Sequence, residues 1–213
     1  YDAKNLGTML RYVTTGEKTV LSCVVSGSNI ALMHSSSISL MDGTRMRSGE
    51  PLRGTVQGSG TFKAIATDSS ALYALLVSGS ETKLVRINTT QFRTETLKTF
   101  SGTYDSLVWA QESGVFVITD GSGKLIKYDP SANTAVTLTG FADGTVYYTG
   151  GVLYIGGSIY DSSFKRIAVV SENGAAVAAF GGMLIYTNTV ADALTGETLG
   201  KLSKSVITAA YGG

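Results

Sequence analysis

The chain holds one cysteine, one histidine, one tryptophan and two prolines in 213 residues. A lone Cys23 excludes an internal disulfide, so the fold must be held by its core. A lone His34 with no second histidine or cysteine leaves too few soft or imidazole donors for a transition-metal centre. No apolar run approaches the ~20 residues that span a bilayer as a helix, and membrane insertion is not expected. Charge is scarce as well: Asp, Glu, Lys and Arg make up 15% of the residues and sum to +1. The basic residues stand singly. Their densest spot, Arg45-Met46-Arg47, reads as a solvated turn, so no nucleic acid is expected as a partner. The chain opens on Tyr1 rather than Met, which reads as a processed or cut product.

What is present forms strands. Hydrophobic residues reach 43%, and 26 glycines stand against the two prolines. With many Ser, Thr and Val, this composition favours strands and turns over helices. No segment longer than two turns holds a 3.6-residue period. Instead a unit recurs. The segments 20–25, 62–67, 106–111, 145–150, 175–180 and 206–211 each read as a first strand, at the spacing of about 30 to 44 residues expected for a four-stranded blade. All but the last lead through a short polar or Gly-bearing turn into a second run, at 29–34, 71–77, 115–119, 152–156 and 183–188. Such turns are hairpin links.

Third runs close on Met41-Asp42-Gly43, Ile87-Asn88-Thr89, Tyr128-Asp129-Pro130, Tyr160-Asp161-Ser162 and Ala191-Asp192-Ala193. Asp or Asn in that place bonds its own backbone and starts a turn. Fourth runs follow, as at 94–100, 135–140 and 197–202. The reading is all-β: a β-propeller of about five to six four-stranded blades, or a part of a larger one, forming a single domain over 1–213. Residues 1–13 parallel 128–138, and 206–213 read as a lone first strand. A closing blade is therefore expected from residues 1–16 and 204–213, its paired ends removing exposed sheet edges.

The segment Tyr128-Asp129-Pro130-Ser131-Ala132-Asn133-Thr134 resembles the strand-to-turn signature of kelch repeats, and Tyr154-Ile155-Gly156-Gly157 is similar to the kelch double glycine. Asp192-Ala193-Leu194-Thr195-Gly196-Glu197 resembles the turn of pyrroloquinoline-quinone-type repeats. The resemblance implies the propeller fold. It implies no particular chemistry, because the kelch tryptophan is missing, with Trp109 in a first strand, and so is the tryptophan dock of the quinone-type repeat.

A search for catalytic sets returns little. His34 at a strand end reads as bonded to a neighbouring backbone group, and Cys23 as a buried core thiol. The sixteen acids fall mostly in turns such as Asp42-Gly43, Asp120-Gly121 and Asp143-Gly144. Gly121-Ser122-Gly123-Lys124 lacks the spacing and helix of a phosphate loop, and Asn88-Thr89-Thr90 fits a glycosylation sequon. No catalytic, cofactor-binding or metal-binding residues are assigned. Five tyrosines, Tyr147, Tyr148, Tyr154, Tyr160 and Tyr186, form either a binding platform on one ring face or core packing between blades. The expectation is a non-enzymatic propeller that docks other protein subunits of an assembly, in an extracytoplasmic or virion setting. The alternatives are a glycan-active hydrolase or lyase, with Asp120, Asp143 and Asp161 as its acids, and a lectin-like binder.

Overall fold

The structure, a computed structural model, describes residues 19–46, 50–170 and 176–202. It is all-β: five four-stranded antiparallel sheets arranged as the blades of a β-propeller. The first blade comprises β1 (Ser22–Ser26), β2 (Asn29–Met33), β3 (Ser37–Asp42) and β4 (Leu52–Gln57). The second comprises β5 (Thr61–Thr67), β6 (Leu72–Ser78), β7 (Glu81–Asn88) and β8 (Arg93–Ser101). The third holds β9 (Ser106–Ala110), β10 (Val115–Thr119), β11 (Lys124–Asp129) and β12 (Thr134–Thr139). The fourth holds β13 (Val146–Thr149), β14 (Val152–Ile155), β15 (Ser158–Tyr160) and β16 (Arg166–Val169). The fifth holds β17 (Ala178–Phe180), β18 (Met183–Ile185), β19 (Thr189–Asp192) and β20 (Thr198–Lys201). Each blade is a meander in which every strand pairs with its neighbour in sequence. The expected closing blade of residues 1–16 and 204–213 lies outside the described residues.

Burial follows strand rank. The middle strands β3, β6, β10, β14 and β15 are buried along nearly their whole length. They are paired on both edges and covered on both faces, so even the serines that alternate with apolar residues in β3, Ser37 and Ser39, are fully buried. The outer strands differ: β12 and β20 are exposed almost throughout. The first strand of the first blade starts at Ser22 rather than Val20, and Val20 and Leu21 lie exposed ahead of it.

Two compact units emerge, one from residues up to 79 with 83–99, the other from 80–82 and 100 onward. The first has an aliphatic core built on Met33, Ile38, Leu40, Phe62, Leu76 and Val85. In the second, separate cores form among the described residues. One gathers Val117, Leu125, Leu153, Ile155 and Tyr160; another gathers Tyr154, Ile159, Leu184 and Tyr186. Within each unit, hydroxyls join successive blades at the first strands. Ser26 Oγ donates to the Ser69 carbonyl at 3.2 Å. The Val146 amide donates to Ser106 Oγ at 3.1 Å, and the Gly182 amide to Thr149 Oγ1 at 2.9 Å. The Gly150-Gly151 and Gly181-Gly182 links have positive φ at both residues, 57° and 80°, then 57° and 75°. That is the geometry of a two-residue turn whose twist matches the strands it joins, and glycine enters it without a Cβ penalty.

Candidate functional site

The acids that sequence places in turns are held there by their own backbones. Each third strand ends on an Asp or Asn that closes the turn into the fourth. Asp42 accepts from the Thr44 hydroxyl and amide. Asp129 accepts from Ser131 and Ala132, Asp161 from Ser163 and Lys165, and Asp192 from Leu194 and Thr195. Asn88 does the same for Thr90 and Gln91. Asp120, between β10 and β11, accepts from the Ser122 hydroxyl and amide. These bonds favour the ionised carboxylate. The Thr44 hydroxyl lowers Asp42 most, the Ser122 hydroxyl lowers Asp120, the Ser131 hydroxyl lowers Asp129 and the Ser163 hydroxyl lowers Asp161. Backbone amides, Thr195 first, lower Asp192. A carboxylate so held is a poor proton donor at neutral pH, because a general acid needs its pKa raised. Gly121-Ser122-Gly123-Lys124 is the turn of this same hairpin, with positive φ at both glycines. Asp143 stands exposed in the link from β12 to β13.

His34 is fully buried and structural. Nδ1 lies 2.7 Å from the Thr19 carbonyl and Nε2 lies 3.2 Å from Ser39 Oγ. The carbonyl can only accept, so Nδ1 carries the proton and Nε2 accepts from the serine. The ring thus ties the approach to β1 onto β3 of its own blade. Cys23 is half-buried rather than a core thiol, and burial pushes its pKa up, away from the thiolate. Among the described residues, no three His, Cys, Asp or Glu side chains come together to hold a metal.

The five tyrosines separate by depth. Tyr154, Tyr160 and Tyr186 are buried in the cores of the second unit, while Tyr147 and Tyr148 are half-buried. Tyr154 meets Tyr186 edge-on, their ring centroids 6.2 Å apart, and Tyr147 lies 6.3 Å from Tyr154. The hydroxyls reach between blades. Tyr147 donates to the Ala176 carbonyl at 3.1 Å. Tyr148 accepts from the Glu112 amide at 3.2 Å, and Tyr160 from the Ala142 amide at 2.9 Å. The rings pack the blades together, while the tips of Tyr147, Tyr148 and Tyr160 satisfy loop backbone.

What sequence reasoning missed is a cleft between the first two blades. Its volume is about 410 Å³, and Ser26, Asn29, Ser70, Arg86, Asn88 and Glu95 supply most of its polar lining. Asn88 Nδ2 donates to Glu95 Oε1 at 3.0 Å, fixing the carboxylate against the turn. Asn29 Oδ1 accepts from Arg53 at 2.6 Å, which leaves the Asn29 amide nitrogen to donate. The one cation and one carboxylate of the lining balance. The cleft therefore matches a small neutral ligand rich in hydroxyls better than an ion, and its size lies within the ~300–1,000 Å³ common for small-molecule sites. Its one signal in the sequence is that the second blade alone ends its third strand on Asn rather than Asp. The amide has the N–H donors that a carboxylate lacks.

No protein-family model matches the chain, and no curated protein is significantly similar to it.

Proposed function

We propose that the chain is a non-catalytic propeller that docks other protein subunits. One observation carries this reading: large apolar side chains stand exposed on the outermost strands. Leu52 on β4, Val136 on β12, Ile167 and Val169 on β16 and Leu199 on β20 are 40–61% exposed. Scattered singly, such residues need no explanation. Their recurrence on the fourth strands of four blades gives each of those four a partly apolar rim, the kind of surface a partner covers. The engagement of Asp42, Asp120, Asp129, Asp161 and Asp192 in turns supports a non-catalytic role, and the kelch-like and quinone-type signatures supply two of those turns. The few charges and the Ser, Thr and Gly richness support an extracytoplasmic or virion setting.

The test is a photo-crosslinking residue at Val169, with a second at Glu81 as control, in the full chain in its native setting. Adducts to another protein from position 169 and not from 81 are expected. A chain that runs as a monomer, returns no stable partner and yields no adduct from position 169 would defeat the proposal.

The cleft favours a second reading, that of a carbohydrate binder with one site rather than one per blade. Titration with a panel of neutral mono- and disaccharides, followed by amide chemical shifts, should perturb residues 86–90 and 95. Unchanged shifts there at tens of millimolar sugar would exclude it.

A further inference from the structure

The five outer strands are equivalent in rank, yet they are not equally protected. An unpaired strand edge presents a row of N–H and C=O groups that templates further pairing, and proteins blunt such edges with charges, bulges or coverage. Four of the five carry such a device. β4 has Arg53, the extra residue of a bulge opposite Leu40/Met41. β8 has Arg93, Glu95 and Lys98. β16 has Arg166 and a shift at Ile159/Tyr160, and β20 has Lys201 and a shift at Val190/Ala191. β12, Thr-Ala-Val-Thr-Leu-Thr, has neither charge nor proline. It pairs with β11 without interruption, from Lys124 opposite Thr139 to Asp129 opposite Thr134. Only Leu138 is even half-buried, and it packs on the core of the second unit. A regular, uncharged, β-branched six-residue edge is the pattern that pairs with another strand.

We infer that β12 is a homotypic docking strand, pairing antiparallel with β12 of a second copy of this chain about a two-fold axis. This rests on the reading of the outer strands as the docking rim, and it names one partner for one of them. A second copy is the occupant that the charge pattern admits. The first charged strand inward is β11, with Lys124, Lys127 and Asp129. Across a shared β11–β12–β12–β11 sheet the two β11 strands lie three strand spacings apart, about 14 Å. That exceeds the Debye length of ~8 Å at physiological salt, so their lysines barely repel. Self-pairing of β8 would instead bring charged residues within a strand spacing of the other copy. A two-fold axis makes the contact closed and self-complementary, so it ends at a dimer. Two six-residue strands bury less than a standard interface of about 1,600 Å², which sets a weak association with a dissociation constant on the order of 10 μM.

Sedimentation velocity on the full chain from about 1 to 200 μM tests this, and the mass should rise from monomer to dimer across the range. Thr137→Lys and, separately, Ala135→Lys place a charge on one face of β12, where both positions are exposed. Each should weaken association at least tenfold. Thr96→Lys on the already charged β8 should leave it unchanged. Hydrogen exchange at amides 134–139 should slow as concentration rises, a readout that a folding defect would move the other way. Circular dichroism melts of the variants should match the parent. A chain that stays monomeric throughout, or a dimer that both lysine variants leave intact, overturns the inference. Crosslinking from Val169 would then decide separately whether the docking rim stands with another partner.

Discussion

The second and fourth blades solve the same problem with different means. Strands of the second blade run to seven, seven, eight and nine residues. Those of the fourth run to four, four, three and four. Long strands bring more ladder hydrogen bonds and more apolar area, and the second blade shares with the first a largely aliphatic core in which Phe62 is fully buried. The fourth blade cannot bury as much through its backbone length. It relies on tyrosines whose rings pack the core and whose hydroxyls bind neighbouring loops. A short blade is stitched to its neighbours where a long one is filled.

The largest test of that contrast is Phe62→Ala. Phe62 lies against Leu76 and near Gly58, whose added Cβ would come 2.7 Å from its ring. Removing a fully buried ring from a filled core should cost about 3–5 kcal/mol, read by chemical denaturation. A loss under ~1 kcal/mol would show that the long blade does not depend on its filling. Next in size is Tyr160→Phe in the short blade, which keeps the ring and deletes only the acceptor for the Ala142 amide. The expected loss is about 1 kcal/mol. No loss would mean that the stitching is dispensable.

The same contrast decides what could be read in advance. First and second strands were legible because a Gly- or Ser-bearing hairpin separates two short apolar runs, and five of those hairpins are where the sequence puts them. The Asx turns were legible because Asp or Asn at a third-strand end has one strong local use. β4 and β16 were not singled out, since both are largely exposed outer strands, and a Gly54 or an Arg166 breaks the apolar rhythm. The tyrosines were found as a group, but their depth was not, because a ring buried between blades and a ring on a rim look alike in one dimension. The cleft was invisible for a third reason. Ser26 and Asn29, Ser70, and Arg86 to Glu95 come from separate stretches, and only the packing of the first two blades brings them together.

A smaller effect should appear with pH, in the first unit. Asp68 accepts from the Tyr73 hydroxyl at 2.7 Å, from the Ser70 amide and hydroxyl, and from the Ala71 amide. Burial pushes this carboxyl up, but the bonds from Tyr73, Ser70 and Ala71 outweigh it and leave it below the usual range. Tyr73 is raised to about 12, by burial first and then by Asp68. The carboxylate is depressed in the folded state, so its contribution is complete above about pH 4 and is lost as pH falls through its folded value. The phenol is raised, so its contribution is complete below about pH 10 and is lost as pH climbs from 10 to 12. Tyr73→Phe should therefore flatten the alkaline fall in stability over that window and move the acid limb toward higher pH. Denaturation midpoints from pH 3 to 12 measure both, and an unchanged alkaline limb would refute the assignment.

The smallest effect separates stitching from filling inside the short blades themselves. Among the described residues Tyr186 is as buried as any tyrosine, and its hydroxyl faces the Tyr154 side chain rather than a backbone group. Burial, then the adjacent Tyr154, raises its pKa far above the usual range. The ring fills the core as a phenylalanine would, while the hydroxyl, desolvated beside the Tyr154 side chain, holds no backbone group in place. Tyr186→Phe should thus change stability by less than about 0.5 kcal/mol, in either direction. Beside Tyr160→Phe it forms a matched pair: the same atom removed at similar depth, with a backbone amide depending on it in one case and none in the other. Equal losses at the two positions would mean that the hydroxyls are incidental to how the short blades hold together.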